Sequence, residues 1–226
     1  RKSVNPLWRG YMEVVIAVIA ASITFAFMEY TYRHLPVVDF RPYKIGNHLP
    51  TLMEYPEDAA PDVYEFSFVY EKDGVEKTFT LENYPKGDST WTFVRQESKL
   101  IKKGYEPPIH DFEIINADYE DLTWDILESE EPVTLVVMYD IKKTDKKQLA
   151  KVEALYENCM MNMEQCYILT GSGTDEISTF SHEYPTLSDG ICTCDPVTLK
   201  TIVRANPGVI VVQNGVVIDK YNIRNR

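Results

Sequence analysis

The run Val133-Thr134-Leu135-Val136-Val137-Met138-Tyr139, together with the segments downstream of it, decides the fold. A stretch this apolar and this short reads as a strand covered on both faces, as in a sheet flanked by helices. Behind it Leu149, Val152, Tyr156, Cys159 and Met163 recur at spacings of three and four. That period marks one face of a helix of about five turns. Cys166 to Thr170 is rich in β formers and predicts the next strand. Thr174, followed by Asp175 and Glu176, predicts a second helix, with Thr174 as its capping side chain and the acids on the positive end of the helix dipole. Asp195-Pro196 repeats the start signal before Val197 to Arg204. Val209 to Val212 and Val216 to Ile218 flank Asn214-Gly215, residue types that suit the two left-handed positions of a tight hairpin turn. The predicted order is β-α-β-α, a short helix, then an antiparallel hairpin, which makes this an α/β domain.

Working upstream, Val63 to Val69 and Thr78 to Leu81 flank Lys72-Asp73-Gly74-Val75, a second hairpin signal, and Thr90 to Val94 reads as a further strand after the turn-like Pro85 to Ser89. Residues 63–104 are therefore expected to form a β-hairpin extension ahead of the main domain at 105–226. Residues 31–62 contain Pro36, Pro42, Pro50, Pro56 and Pro61 without helical or alternating period, and read as an ordered or semi-rigid connector.

From Tyr11 to Met28 the single charge is Glu13. At 1.5 Å per residue such a helix is about the shortest that spans a hydrocarbon core of roughly 30 Å. Trp8 and Tyr11 on one side, and Tyr30 and Tyr32 on the other, suit the membrane–water interface. A transmembrane helix over residues 10–30 is expected; a buried core helix is the alternative that length permits. A cleaved signal peptide has a similar basic start, but the apolar run is long and no Ala-x-Ala site follows it, so a retained anchor is favoured. Arg1, Lys2 and Arg9 crowd the N-terminal side without an acid. The positive-inside bias then makes residues 1–9 a cytoplasmic flank and places the bulk of the chain outside. The chain opens with Arg rather than Met, which reads as a processed product or as a fragment of something longer, and a lone Glu13 in the bilayer is easier to tolerate against other helices than against lipid.

Among 226 residues, 44% are hydrophobic and 26% charged, which excludes wholesale disorder. The net charge of −12 repels phosphate backbones, so nucleic acid is not an expected partner. The charge is uneven. Residues 1–44 hold six Lys or Arg against three acids, and the remainder holds seventeen against thirty-two. Two environments are implied.

The order of elements resembles the thioredoxin fold, with Asn206-Pro207 in the place of its cis-proline, and the bond is expected to be cis. Glu106-Pro107-Pro108-Ile109-His110-Asp111-Phe112 is similar to the opening of extracytoplasmic thioredoxin-like proteins and peroxiredoxins, and Asp121-Leu122-Thr123 stands where their second short strand leads into the first core strand. A narrower resemblance is to bacterial DoxX-like membrane proteins carrying a C-terminal thioredoxin-like domain. It lies in His34-Leu35-Pro36-Val37-Val38-Asp39-Phe40-Arg41-Pro42-Tyr43-Lys44-Ile45-Gly46 and in Thr198-Leu199-Lys200-Thr201-Ile202-Val203-Arg204-Ala205-Asn206-Pro207-Gly208. That resemblance implies that residues 11–28 are the last of several membrane helices in a bacterial inner membrane, with the domain extracytoplasmic.

In redox-active relatives a Cys-x-x-Cys sits between the first strand and its helix, where the helix dipole activates a thiol. Here that stretch is Ile141-Lys142-Lys143-Thr144-Asp145-Lys146-Lys147, without cysteine. The dithiol mechanism is removed at this place. Cys192-Thr193-Cys194 is the alternative catalytic pair, although residues two apart on a strand lie near the limit of disulfide reach. Buried thiols, or a structural link to Cys166, are the other readings, and Cys159 belongs to the apolar helix face. His34, His48, His110 and His182 show no ligand spacing, and the ten acids between residues 106 and 131 lack the ordered pattern of a calcium loop, so neither a metal nor a cofactor is expected. Lys142, Lys143, Thr144 and Lys146, with Asn206 and Pro207, form the candidate partner-binding surface, the lysines suiting an acidic partner. The expectation is a membrane-anchored, redox-inactive binding or assembly module. The alternative is an extracytoplasmic thiol-disulfide oxidoreductase using Cys192 and Cys194, and a third reading is an extension that stabilises a membrane bundle.

Overall fold

The apolar stretch near the N-terminus lies within one continuous helix, α1 (Pro6–Arg33). The computed structural model describes residues 6–36 and 38–225, with side chains from residue 10 onward. Arg1, Lys2 and Val37 lie outside the described residues, as do the side chains of Trp8 and Arg9. Gly10–Arg33, 24 residues, is long and apolar enough to cross a membrane, and its apolar window is 0% buried against the rest of the chain. Its few hydroxyls are spent inside the helix: Ser22 donates to the Val18 carbonyl at 2.8 Å and Thr24 to that of Ala20 at 2.9 Å. Such back-bonding satisfies polar groups where no water is at hand.

The packing divides the chain into two compact units, residues 1–52 with 109–226, and residues 53–108. After α1 the chain runs through a short helix, α2 (Leu49–Met53). The smaller unit is an antiparallel sheet of β1 (Val63–Lys72), β2 (Val75–Thr80) and β3 (Thr92–Lys102), in the order β2-β1-β3. Asp73 and Gly74 take the left-handed turn positions, with φ of 53° and 79°. Strand β3 runs well past the expected end at Val94. All of its side chains are exposed, so no hydrophobic alternation marks it. Pairing with β1, where Glu65 faces Lys99, defines it instead. Val69 and Phe79 are its unit's buried apolar residues, and Tyr70, Phe79, Trp91 and Phe93 stack edge to face around them.

In the larger unit α3 (Thr123–Leu127) leads into β4 (Val133–Val137), α4 (Lys146–Met161) and β5 (Gln165–Thr170). Then come α5 (Thr174–Glu183), α6 (Pro185–Ser188), β6 (Ile191–Thr193), α7 (Pro196–Ile202), β7 (Gly208–Gln213) and β8 (Val216–Asn222). The sheet order is β6-β5-β4-β7-β8. Strands β4, β5 and β6 are parallel, while β7 runs antiparallel to β4 and β8 to β7. Asn206-Pro207, at the entry to β7, is cis. This is a thioredoxin-like α/β fold. Val136, Met138, Val152, Cys159, Ile168, Leu187 and Val209 form its core between sheet and helices.

Several local expectations change. Helix α4 stops at Met161, and Met163 sits in the left-handed turn beyond it, φ 59° and 95% exposed, so it leaves the apolar face that Leu149, Val152, Tyr156 and Cys159 bury. Thr174 is the first residue of α5 rather than its cap; Gly173 holds that position, without a side-chain bond. Ile115 bridges both Asp121 and Thr193, and between Asp121 and the first core strand the chain forms α3, which the sequence reading did not include. Cys192 lies on a third parallel strand, β6, too short to leave a period in the sequence.

The proline-rich segment is ordered around residues 46–49. Gly46 donates to the Val217 carbonyl at 2.8 Å, Val217 to that of Asn47 at 3.0 Å, and Leu49 to that of Gly215 at 2.8 Å. The segment thus covers the open edge of β8, which would otherwise present unpaired backbone groups. Tyr43 and Leu49 are buried there. Asp39 is gripped by Arg41 at 2.7 and 2.9 Å and by Lys220 from β8 at 2.7 Å.

Candidate functional site

The place where active thioredoxins carry their dithiol is the turn after β4. Asp140 caps a single 3-10 turn, Ile141–Lys143, and Asp145 caps α4 by accepting from the Gln148 amide at 3.0 Å. The turn is also tied across the sheet end, because the Ile141 amide donates to Ser172 Oγ at 3.2 Å. Beside Ser172, Gly171 lets Pro196 pack close, since a Cβ there would lie 2.5 Å from Pro196 Cβ.

Asn206, just before the cis-proline, reaches over to the same turn. Its Nδ2 donates to the Asp140 carbonyl at 2.6 Å and to Thr144 Oγ1 at 3.2 Å. Asn206 and Pro207 are therefore buried and act as struts under the turn. They lie beneath the turn and not on its outer surface. Thr144 is buried as well, and the Asn206 Oδ1 and Gln148 Oε1 atoms lie buried with no hydrogen-bond partner.

The lysines divide. Lys142 Nζ meets Glu176 Oε1 of α5 at 2.7 Å, and Lys143 Nζ meets Asp140 Oδ2 at 2.6 Å. These pairings raise both lysines and hold both carboxyls below their ordinary range; for Asp140 the Lys143 hydrogen bond is the main cause, and for Glu176 that of Lys142. Lys146 is exposed. Lys142, Thr144 and Lys146 line a cleft of about 360 Å³ whose floor is Ile141, Leu149 and Phe180 and whose far wall is α5, with Asp175, Glu176, Thr179, Glu183 and Tyr184. A second hollow of about 430 Å³ is bordered by Tyr139, Lys143, Ser172, Pro196 and Lys200, and shares Lys142 and Glu176 with the first. Reading the sequence missed the α5 wall. Its signal was present in the spacing of Glu176, Thr179, Phe180 and Glu183, which places them along one side of a helix, but nothing in the sequence says that this side faces the 141–146 turn.

The cysteines lie elsewhere. Cys192 and Cys194 are 2% and 8% exposed, and β6 is separated from β4 by β5. Burial pushes the Cys192 thiol up to about 11 and that of Cys194 to about 12, so neither is a thiolate near neutrality. The Cys166 and Cys159 thiols are hydrogen-bonded to each other in the core, and burial raises both; the thiol neighbour of Cys166 is thus Cys159, not the Cys192 and Cys194 pair. All four are free thiols, and among the described residues none lines either hollow. The arrangement offers an apolar floor with a rim of both charges and, at that site, no activated nucleophile.

A family described as a domain of unknown function (DUF8463) matches residues 64–103, the three-stranded sheet alone. A comparison against curated proteins returns no match. Among solved structures, the chain is similar to BsSco, a member of the Sco family of cytochrome c oxidase assembly proteins, at 12% identity and a TM-score of 0.39, over 52% of this chain and 84% of that one. It is similar to reduced Prx3 from Vibrio vulnificus at 7% identity and 0.37, over 50% and 82%. A thiol peroxidase from Chromobacterium violaceum follows at 10% and 0.34, over 50% and 71%.

Proposed function

We propose that this chain is a membrane-anchored, redox-inactive thioredoxin-like module that binds a protein partner, or its own membrane bundle, through the cleft between the 141–146 turn and α5. The observation that carries this reading is the sulfur-free turn at Ile141–Lys143, with Asn206 strapped across it. An apolar floor at Leu149 and Phe180 beneath charged rims is the make-up of a protein-binding cleft, where the apolar centre supplies affinity and the charges set register. Because Lys142 is already paired with Glu176, the acidic partner suggested by the lysine count is replaced by one with both charges. The stretches 34–46 and 198–208 support a further assignment, the C-terminal part of a DoxX-like protein in a bacterial inner membrane with the domain on the extracytoplasmic side. A reading frame upstream of Arg1 encoding no further hydrophobic spans would remove that assignment.

The oxidoreductase alternative needs Cys192 and Cys194 to become accessible. A turnover assay of the full chain with a dithiol reductant, alongside Cys192→Ser, tests the choice. Background activity in both is expected; activity present in the parent and lost in the variant would sink the non-catalytic reading. For binding, a photo-crosslinker placed at Lys146 is expected to capture a defined partner in membranes, with loss on Phe180→Asp; equal capture from an exposed position on β3 would count against the cleft.

A further inference from the structure

A hollow of about 520 Å³ opens where α1 leaves its apolar stretch, bordered by Phe27, Tyr32, His34, Arg204, Asn222 and Arg224. Its two halves differ in chemistry. Phe27 belongs to the lipid-facing part of α1 and is 63% exposed. Tyr32 carries the Arg224 guanidinium over its ring at 4.4 Å. Asn222 Nδ2 donates to the Tyr32 carbonyl at 3.2 Å and Asn225 Nδ2 lies 2.9 Å from His34 Nδ1, so the end of β8 and the end of α1 are joined here. Arg224 Nε is buried without an acceptor, an arrangement that costs free energy unless something fills the gap. Among the described residues no acid lines the hollow and no ion pair involves Arg204 or Arg224. The chain beyond residue 44 holds thirty-two acids against seventeen Lys or Arg, so two unpaired arginines at the membrane end stand apart from the field around them.

We infer that this hollow holds the phosphodiester headgroup of an anionic membrane phospholipid, with its acyl chain along Phe27. Guanidinium groups match phosphate oxygens with paired donors. Tyrosines at the end of a spanning helix mark the headgroup level. The lack of a lining carboxylate disfavours a zwitterionic headgroup, whose ammonium would find no partner. The Phe27 wall favours a lipid over a soluble phosphate ester. This inference rests on α1 spanning the membrane and on nothing in the partner-binding reading.

Native mass spectrometry of the detergent-solubilised full chain, titrated with phosphatidylglycerol, phosphatidylcholine or glycerol 3-phosphate, tests it. One saturable phosphatidylglycerol site is expected, with weak binding of the other two. The Arg204→Gln/Arg224→Gln variant should weaken it about 25-fold, from about fivefold per arginine. If Arg224→Gln reduces the folded yield, Arg204→Gln alone, at an exposed side chain, should still show about fivefold. Binding within twofold of the parent in the variant that is read, equal affinity for phosphatidylcholine, or equal affinity for glycerol 3-phosphate would overturn the site. Membrane insertion is read separately by alkaline carbonate extraction. Release by carbonate removes the spanning reading and the site with it; retention with unchanged lipid binding removes the headgroup site alone.

Discussion

Asp39 shows how much one side chain carries where the chain passes from helix to domain. Burial works to raise its carboxyl, but hydrogen bonds from Arg41 and Lys220 override this and hold it well below its ordinary value of 3.8. Lys220 is pushed down, chiefly by burial. A carboxyl depressed in the folded state contributes stability that is present above 3.8 and is lost as pH falls towards the folded value. Asp39→Asn should cost about 2 kcal/mol at pH 7, since it leaves a buried ammonium uncompensated while Asp39 itself keeps some contact with water. Denaturant titrations at pH 7 and below pH 3 should show the gap between parent and variant shrinking in acid; a constant gap would contradict the pairing. The thiols provide a second test at this scale. With Cys192 raised to about 11 and Cys194 to about 12, an aromatic disulfide reagent at pH 8 should modify none of the four cysteines in the native chain and all four after denaturation. Rapid native reaction at Cys192 or Cys194 would reopen the oxidoreductase reading.

At the scale of elements, the helix starts separate true caps from apparent ones. Asp195 accepts from the Val197 and Thr198 amides at 2.9 and 2.8 Å at the head of α7. Asp195→Ala should therefore cost about 1 kcal/mol. Thr174 has the residue type of a cap yet sits inside α5, with its hydroxyl making no cap bond, and Thr174→Ala should shift the urea midpoint by nearly nothing. Equal losses in the two variants would mean that α5 begins one residue later than described. The hairpin glycines differ in the same way. Gly74 and Gly215 both hold positive φ, but a Cβ on Gly215 would also lie 2.7 Å from Pro50 Cδ, because the 46–50 segment lies over that turn. The turn that anchors the proline-rich segment is the less tolerant one.

For the whole molecule, the balance is between an exposed apolar helix, long enough to cross a membrane, and an acidic domain. Ile19, in the middle of α1, is 54% exposed, which suits contact with lipid and not with a protein core. Ile19→Arg should cost about 3–4 kcal/mol of insertion free energy, seen as a shift of the chain out of the carbonate-resistant membrane fraction. An unchanged fraction would mean that other helices shield that position.

The order of elements between Val133 and Ile218 apart from α6 and β6, the two hairpin turns, the apolar span and the lack of sulfur at Ile141 to Lys147 were legible from the sequence, because each depends on a period or a residue type within a few positions. Tertiary structure alone decided that Asn206 and Pro207 are covered, that α5 walls the cleft, that Lys142 is neutralised by Glu176, and that residues 43–49 close the edge of β8. The physical reason is range: these contacts join residues from 34 to about 170 positions apart, and local pattern carries no information about which faces the chain brings together. Two of the least legible features, the short strand β6 and the fully exposed strand β3, are held by pairing to a neighbour and so leave no hydrophobic period of their own to read.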